Sequence, residues 1–360
     1  MTNTDELRDK SVITRFCGVL SIAAICYPLF LRGSYGSMQL FTAGQTPLDR
    51  FAAIISFVAS LVAAFGVPLT AALCAASIAG LSSHSAGALR AYRLAHLAFA
   101  APPLFTALGV VTGILEIRTH IQGIGALDYP MWVLFWLGLG LYCALSATHE
   151  ERTEVRPPGP RLVAFHGVLA LTVLLIFLAA HLINHLFGLW SPAMHGHVMH
   201  VLEAVYRAFV VEPLLVLSML LLIVTGMTLA WRHTAIGGDA YRRVQTLTGA
   251  YLAAFILSHL TAIFLLARWL QHVHTNDWSY VSGAPDGMLR NAWNLRLIPH
   301  YAMAVWAVTT HLGLGLRGVL RAHGVAQRRA NFSAMGMSAA GAMVSVFITL
   351  GLIGLHLGGP

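Results

Sequence analysis

A chain of 360 residues with 57% hydrophobic and 10% charged residues and a mean hydropathy of +0.72 is not a soluble protein, since soluble domains carry about 25% charged residues. The net charge of +8 is no sign of nucleic-acid binding, because Arg and Lys of membrane proteins collect on the cytoplasmic side. Nine apolar runs leave only short loops, which excludes a separate soluble catalytic domain.

The runs lie near 12–31, 51–81, 90–115, 130–148, 161–188, 200–231, 242–270, 296–320 and 334–357, close to the about 20 residues a helix needs to cross a bilayer. They predict an all-α integral membrane protein with about nine transmembrane helices. The first run follows a charged start (Asp5, Glu6, Arg8, Asp9, Lys10) and is long enough to stay in place, so a cleaved signal peptide is not expected. With the N-terminus inside, fifteen Arg and Lys fall on inside segments and seven on outside ones. This bias predicts a plasma (inner) membrane protein with a cytoplasmic N-terminus. The four cysteines, Cys17, Cys26, Cys74 and Cys143, all lie in apolar runs, and no C-x-x-C-H for covalent haem attachment occurs.

Glu150-Glu-Arg-Thr-Glu154-Val-Arg156-Pro157-Pro158 reads as a solvated linker, dividing the chain into 1–150 and 151–360. Short matches at an offset of 149 residues relate the halves: Phe16-Cys17-Gly18-Val19-Leu20 with Phe165-His166-Gly167-Val168-Leu169, and Tyr92-Arg93 with Tyr241-Arg242. A larger offset aligns Trp136 to Leu141 with His311 to Leu316. The expectation is two related four-helix units plus a C-terminal helix. Where the second half has His166, His259 and His311, the first has Cys17, Val110 and Trp136, so the 1–150 unit lacks coordinating groups.

Of eighteen histidines, twelve lie between 166 and 311. Imidazole in hydrocarbon is costly unless hydrogen-bonded or ligated, and b-type haem takes two axial imidazoles from facing helices. Counting at 1.5 Å per residue from the inner arginines puts His259 roughly 25 Å and His181 roughly 30 Å up, with His311 roughly 9 Å and His166 roughly 8 Å up. The levels permit two stacked haems, His181 with His259 and His166 with His311. His185, one turn beyond His181, is the rival outer ligand. A lone buried histidine is more often a helix–helix hydrogen bond, and that reading stands beside the haem.

Gln245-Thr-Leu-Thr248-Gly249, followed after nine residues by His259, resembles the haem-bearing helix of the single-chain, two-haem cytochrome b anchor of succinate dehydrogenases and fumarate reductases. His311-Leu-Gly-Leu-Gly315-Leu316-Arg317 is similar to that family's H-x-x-x-G-[hydrophobic]-R helix. The resemblance covers 241–323 well and 161–232 loosely. It implies haem b, one or two per chain, with His259 and His311 axial and Gln245 and Arg317 in the cofactor motifs; a quinone; and a soluble flavin or iron–sulfur partner. The chain departs from the family in three ways. The stretch Met219 to Trp231 lacks the axial histidine of the family's second helix, Thr246 stands where relatives place a quinone-contacting Arg, and nine helices exceed the usual five.

On the sixth run, Glu203 and Arg207 are i,i+4 and should pair, and Glu212 precedes Pro213. Glu212, roughly 30 Å up, is the expected proton-transfer or quinol-contact residue, against the plain alternative of pairing with Arg207 or a backbone amide. Arg207 is an expected haem-propionate partner. His195-Gly-His197-x-x-His200 reads as a loop that either binds copper or zinc or is uncommitted. Trp278, Tyr280, Trp293, Tyr301 and Trp306 read as an interfacial aromatic belt. The leading function is electron transfer by a membrane cytochrome between a quinone pool and a redox partner. The alternatives are a haem-binding sensor or anchor without turnover, and a haem-free transporter or structural membrane protein.

Overall fold

The computed structural model describes residues 3–81, 85–147, 156–273 and 277–358, and among these every regular element is helical, with no strand. Nine helical stretches of the described residues are long and apolar enough to cross a membrane: Lys10–Ala43, Pro47–Ala79, Ala101–Thr119, Ile124–Ser146, Pro160–Trp190, Val211–Ile236, Ala240–Gln271, Ala292–Ala322 and Gln327–Leu352. The protein is therefore an all-α multi-pass membrane protein. The acidic part of the 150–158 linker, Glu150 to Glu154, lies outside the described residues.

In chain order the helices are α1 (Asn3–Ala43), α2 (Pro47–Ala79), α3 (Ala86–Phe99), α4 (Ala101–Thr119) and α5 (Asp128–Ser146). Then come α6 (Pro160–Val173), a π turn (Leu174–Leu178), α7 (Ala179–Trp190), α8 (Pro192–Tyr206), α9 (Val211–Ile236) and α10 (Ala240–Leu260). A second π segment (Thr261–Gln271), the single turns α11 (Trp278–Val281) and α12 (Ala292–Leu295), and α13 (Leu297–Ala322) and α14 (Gln327–Leu352) complete the chain.

Two of the expected runs are broken. The run at 90–115 divides at Ala100 into α3 and α4, because Pro102 and Pro103 have no N–H to give a preceding helix and suit only a first turn. The run at 200–231 divides after Tyr206, where Arg207 leaves helical geometry and Pro213 sits in the first turn of α9. Glu203 and Glu212 thus belong to different helices. The segment read as a histidine loop is helix α8, capped by Ser191, whose hydroxyl accepts the Met194 N–H.

Backbone packing gathers the chain into two compact units, Met1–Pro158 with Leu229–Tyr251, and Gly159–Thr228 with Leu252–Pro360. In the first, α2 starts on a capping box between Thr46 and Asp49. An aromatic core runs through Tyr27, Phe105, Trp132 and Trp136, with Trp132 Nε1 donating to the Ala24 carbonyl at 2.7 Å. Helix α3 grips the ends of α9 and α10 that belong to this unit. Arg93 lies over the Trp231 ring and donates to Thr234 and the Trp231 carbonyl, His96 meets Thr246 at 3.0 Å, and Phe99 packs on Tyr251.

In the second unit, α13 and α14 pack closely, and Gly351 of α14 lies against the backbone of Gly188 and Leu189, where any Cβ would collide. Beyond α14 the chain runs back along the end of α7. Leu357 N–H donates to the Leu189 carbonyl, Gly358 N–H to the Trp190 carbonyl, and His356 Nδ1 meets the Gly188 carbonyl. These contacts take up carbonyls that a helix C-terminus leaves without partners.

Candidate functional site: two histidine pairs

The second unit brings the expected histidines together in two pairs. The rings of His181 (α7) and His259 (α10) have centres 6.4 Å apart with planes at 68°. Those of His166 (α6) and His311 (α13) are also 6.4 Å apart, at 85°. Each pair joins two different helices, and all four side chains keep part of their surface accessible in the protein.

The first pair is set by departures from regular helix. His181 follows the π turn Leu174–Leu178, and the π segment Thr261–Gln271 begins two residues after His259. Such wide turns are rare and concentrate at functional sites. Phe177, inside the first, stacks on His181 at 4.9 Å, and its carbonyl accepts from Tyr206 of α8 at 3.3 Å. On the other side, Phe255 stacks on His259 at 5.5 Å and also packs against His300, while Tyr301 stands edge-on to His259. His300 and Tyr301 were not singled out as site residues by the sequence reading; their place on α13 about three turns from His311 was the available signal.

The second pair has a hydrogen-bonded support. His166 Nδ1 lies 2.8 Å from Thr225 Oγ1, and that hydroxyl donates to the Leu221 carbonyl at 2.7 Å. With its only proton committed there, Thr225 accepts from Nδ1–H, which leaves the His166 Nε2 lone pair available. A metal-bound histidine is characteristically oriented in this way, by a hydrogen bond from its other ring nitrogen. Gly226, next along α9, lets the His166 ring approach closely: a Cβ there would stand 3.2 Å from His166 Cε1 and press on the ring. The stretch of α9 without a histidine therefore contributes a hydroxyl and a space to His166.

His185 is edge-on to His181 at 4.7 Å and faces His195 of α8 at 5.5 Å. His195 is buried, packs on Trp278 and is held at Nε2 by Asn184 at 3.1 Å; burial lowers its pKa to about 4, so the ring is neutral. His197 and His200 are exposed, because residues two apart on a helix point to different sides. Among the described residues no group of three or more His, Cys, Asp or Glu side chains is placed to hold a metal ion.

Glu203 pairs with Arg207 on α8, as expected. Glu212 pairs with Arg268 of the second π segment at 2.5 Å, not with Arg207. Gln245 and Thr246 belong to the first unit, where Arg242 donates to Gln245 and Thr246 meets His96. Arg317 ties α13 to α14 through Asn331 at 2.7 Å. Of the aromatic residues, Trp278 is buried under His195, while Tyr280, Trp293, Tyr301 and Trp306 are partly accessible.

His181 with His259, and His166 with His311, are the residues that would hold haem: each pair brings two imidazoles of different helices to ring centres 6.4 Å apart, and imidazole is a ligand suited to haem iron. Compared with family models, curated proteins and solved structures, the chain finds no match.

Proposed function

We propose that the second unit is a b-type cytochrome of the plasma membrane that passes electrons between a quinone pool and a redox partner, with its N-terminus in the cytoplasm. The reading rests on one observation: two histidine pairs, each joining two separate helices, have ring centres 6.4 Å apart. His181 and His259 would hold one haem, and His166 and His311 the other. When bound, haem supplies reversible one-electron chemistry at iron. The chain's own residues orient and enclose. Thr225 fixes the tautomer of His166, while Phe177 and Phe255 hold the His181 and His259 rings from either side.

The Glu212–Arg268 pair is the proton-handling and quinol-contact site in this reading. Its side chains are 30% and 25% exposed, so they remain reachable from the lipid or water boundary. An ionisable pair kept at that level is costly unless used or neutralised. The motifs around His259 and His311 support kinship with the cytochrome b anchor of succinate dehydrogenases and fumarate reductases, and with it a soluble flavin or iron–sulfur partner.

The test is a reduced-minus-oxidised spectrum of the detergent-purified protein with haem counted per chain. Two six-coordinate b haems are expected, His259→Ala removing one and His311→Ala the other. Protein made with ample haem that carries none, or that keeps its full content in both variants, would overturn the proposal.

A further inference from the structure

The first unit buries two thiols against one another. Cys17 of α1 and Cys143 of α5 are free cysteines, 0% and 4% exposed, and their thiol groups are in hydrogen-bonding contact. The helices run antiparallel here, since Cys17 meets Cys143, Ser21 meets Gly140 and Ala24 meets Trp132. Glycine lets them come close: a Cβ on Gly140 would stand 2.9 Å from Ser21 Cβ and 3.8 Å from the Cys17 carbonyl oxygen. On the other side of Cys143, Ala147 meets Gly87 of α3, where a Cβ would stand 2.8 Å from the Ala147 Cα. Close approaches on both sides of Cys143 hold the two sulfurs within reach of one another.

Two further groups give the pair a chemistry that plain packing would not need. Arg90 of α3 donates to the Ser146 carbonyl at 3.0 Å, about one turn past Cys143, and its positive charge acts on the Cys143 sulfur. A cation beside a cysteine favours the thiolate, which is the nucleophile in thiol oxidation. Ser21 is 6% exposed, and its Oγ is buried without a hydrogen-bond partner. A helical serine can donate to the carbonyl four residues back, here that of Cys17, and Ser21 does not. A buried hydroxyl left open one turn from the thiols is a place for a small molecule with O–H groups.

We propose that Cys17 and Cys143 form a peroxide-reactive dithiol that closes to a disulfide between α1 and α5. Hydrogen peroxide is small and uncharged, which suits a site this enclosed. The Cys143 thiolate, beside Arg90, attacks one peroxide oxygen. The O–O bond breaks, the departing hydroxide takes up the proton that the thiol gave, and Cys143 is left as the sulfenic acid. The Cys17 sulfur then attacks the Cys143 sulfur, the S–S bond forms, and the hydroxyl leaves with the Cys17 proton as water. Two electrons and two thiol hydrogens thus convert one peroxide into two waters. The site lies in the first unit and does not depend on the haem reading.

The test uses the full-length protein in detergent, reduced, freed of reductant and then exposed to hydrogen peroxide. Remaining thiols are alkylated after denaturation and counted by peptide mass spectrometry, with Cys26 and Cys74 as internal references. Loss of two of the four thiols is expected, recovered as a linked Cys17–Cys143 peptide and reversed by dithiothreitol. In Cys17→Ser, dimedone should trap Cys143 as the sulfenic acid, while in Cys143→Ser the Cys17 thiol should persist. Arg90→Gln keeps a donor for the Ser146 carbonyl and loses the charge, and should slow closure about tenfold. The linkage is read in the parent protein, so it does not depend on how the variants fold. Four thiols retained by the parent, a linkage joining other cysteines, or closure at the parent rate in Arg90→Gln would overturn the proposal.

Discussion

Thr225 shows how much a single hydroxyl decides. It accepts the hydrogen bond of His166 Nδ1–H, which leaves Nε2 as the nitrogen with a free lone pair. Replacing it with valine keeps the shape and removes the acceptor. Thr225→Val is expected to weaken haem binding at the His166–His311 pair about 10- to 100-fold, as loss of an orienting partner does, and Thr225→Ser to restore it. Haem content and a redox titration of the two haems check this. Gly226→Leu should abolish the same pair and spare His181–His259, because the added side chain would occupy the place of the His166 ring. The meeting of His166 with His311 was legible in the sequence, since its height above Arg161 matches that of His311 above Arg317. Thr225 was not, because a hydroxyl on an apolar helix bonds its own i−4 carbonyl by default. Only the rotation of α9 about its axis shows that it also meets a neighbour.

At the level of elements, the wide turn before His181 carries one residue more than an α turn. Deleting Ile176 should let the segment close into regular helix with α6 and α7 still in phase, and both haems should remain. Inserting one alanine after Ala180 has no such slack. It rotates His181 by about 100° and should remove one haem while leaving that of His166 and His311. The reduced-minus-oxidised spectrum separates the two outcomes. A count of apolar positions at a 3.6-residue period cannot reveal such a turn, which is why the two π segments were invisible in the sequence. The breaks at 100 and 207–210 were closer to legible, since Pro102, Pro103 and Pro213 mark helix starts. Continuous hydrophobicity across both breaks masked them. The reassignment of Glu212 to Arg268 follows from the second break and the second π segment together.

For the whole molecule, the number of membrane-crossing segments and the all-helical class were legible from hydrophobic run lengths, because the bilayer imposes both. The role of the first half was not. It lacks the histidine pairs, yet α3 holds residues 231–251 through Arg93, His96 and Phe99. His96→Leu removes the contact with Thr246, whose hydroxyl keeps its bonds to the Arg242 and Arg243 carbonyls, and should lower stability by about 0.5–1.5 kcal/mol, read as a lower unfolding temperature in detergent with the haem spectrum of the folded fraction unchanged. Orientation rests on the fifteen-to-seven split of basic residues. An alkaline phosphatase reporter placed between α13 and α14 should be inactive, and one placed after residue 271 active.

The last described residues have a practical bearing on all of these measurements. The backbone of Leu357 and Gly358 is hydrogen-bonded to the end of α7, the helix that presents His181 and His185. An affinity tag or fluorescent protein joined at the carboxyl end would tug on that strap, whereas the amino end offers an attachment point far along the chain from it. Trimming the strap in steps would turn the handle used for purification into a probe, read in the spectrum of the His181–His259 pair before any other change is seen.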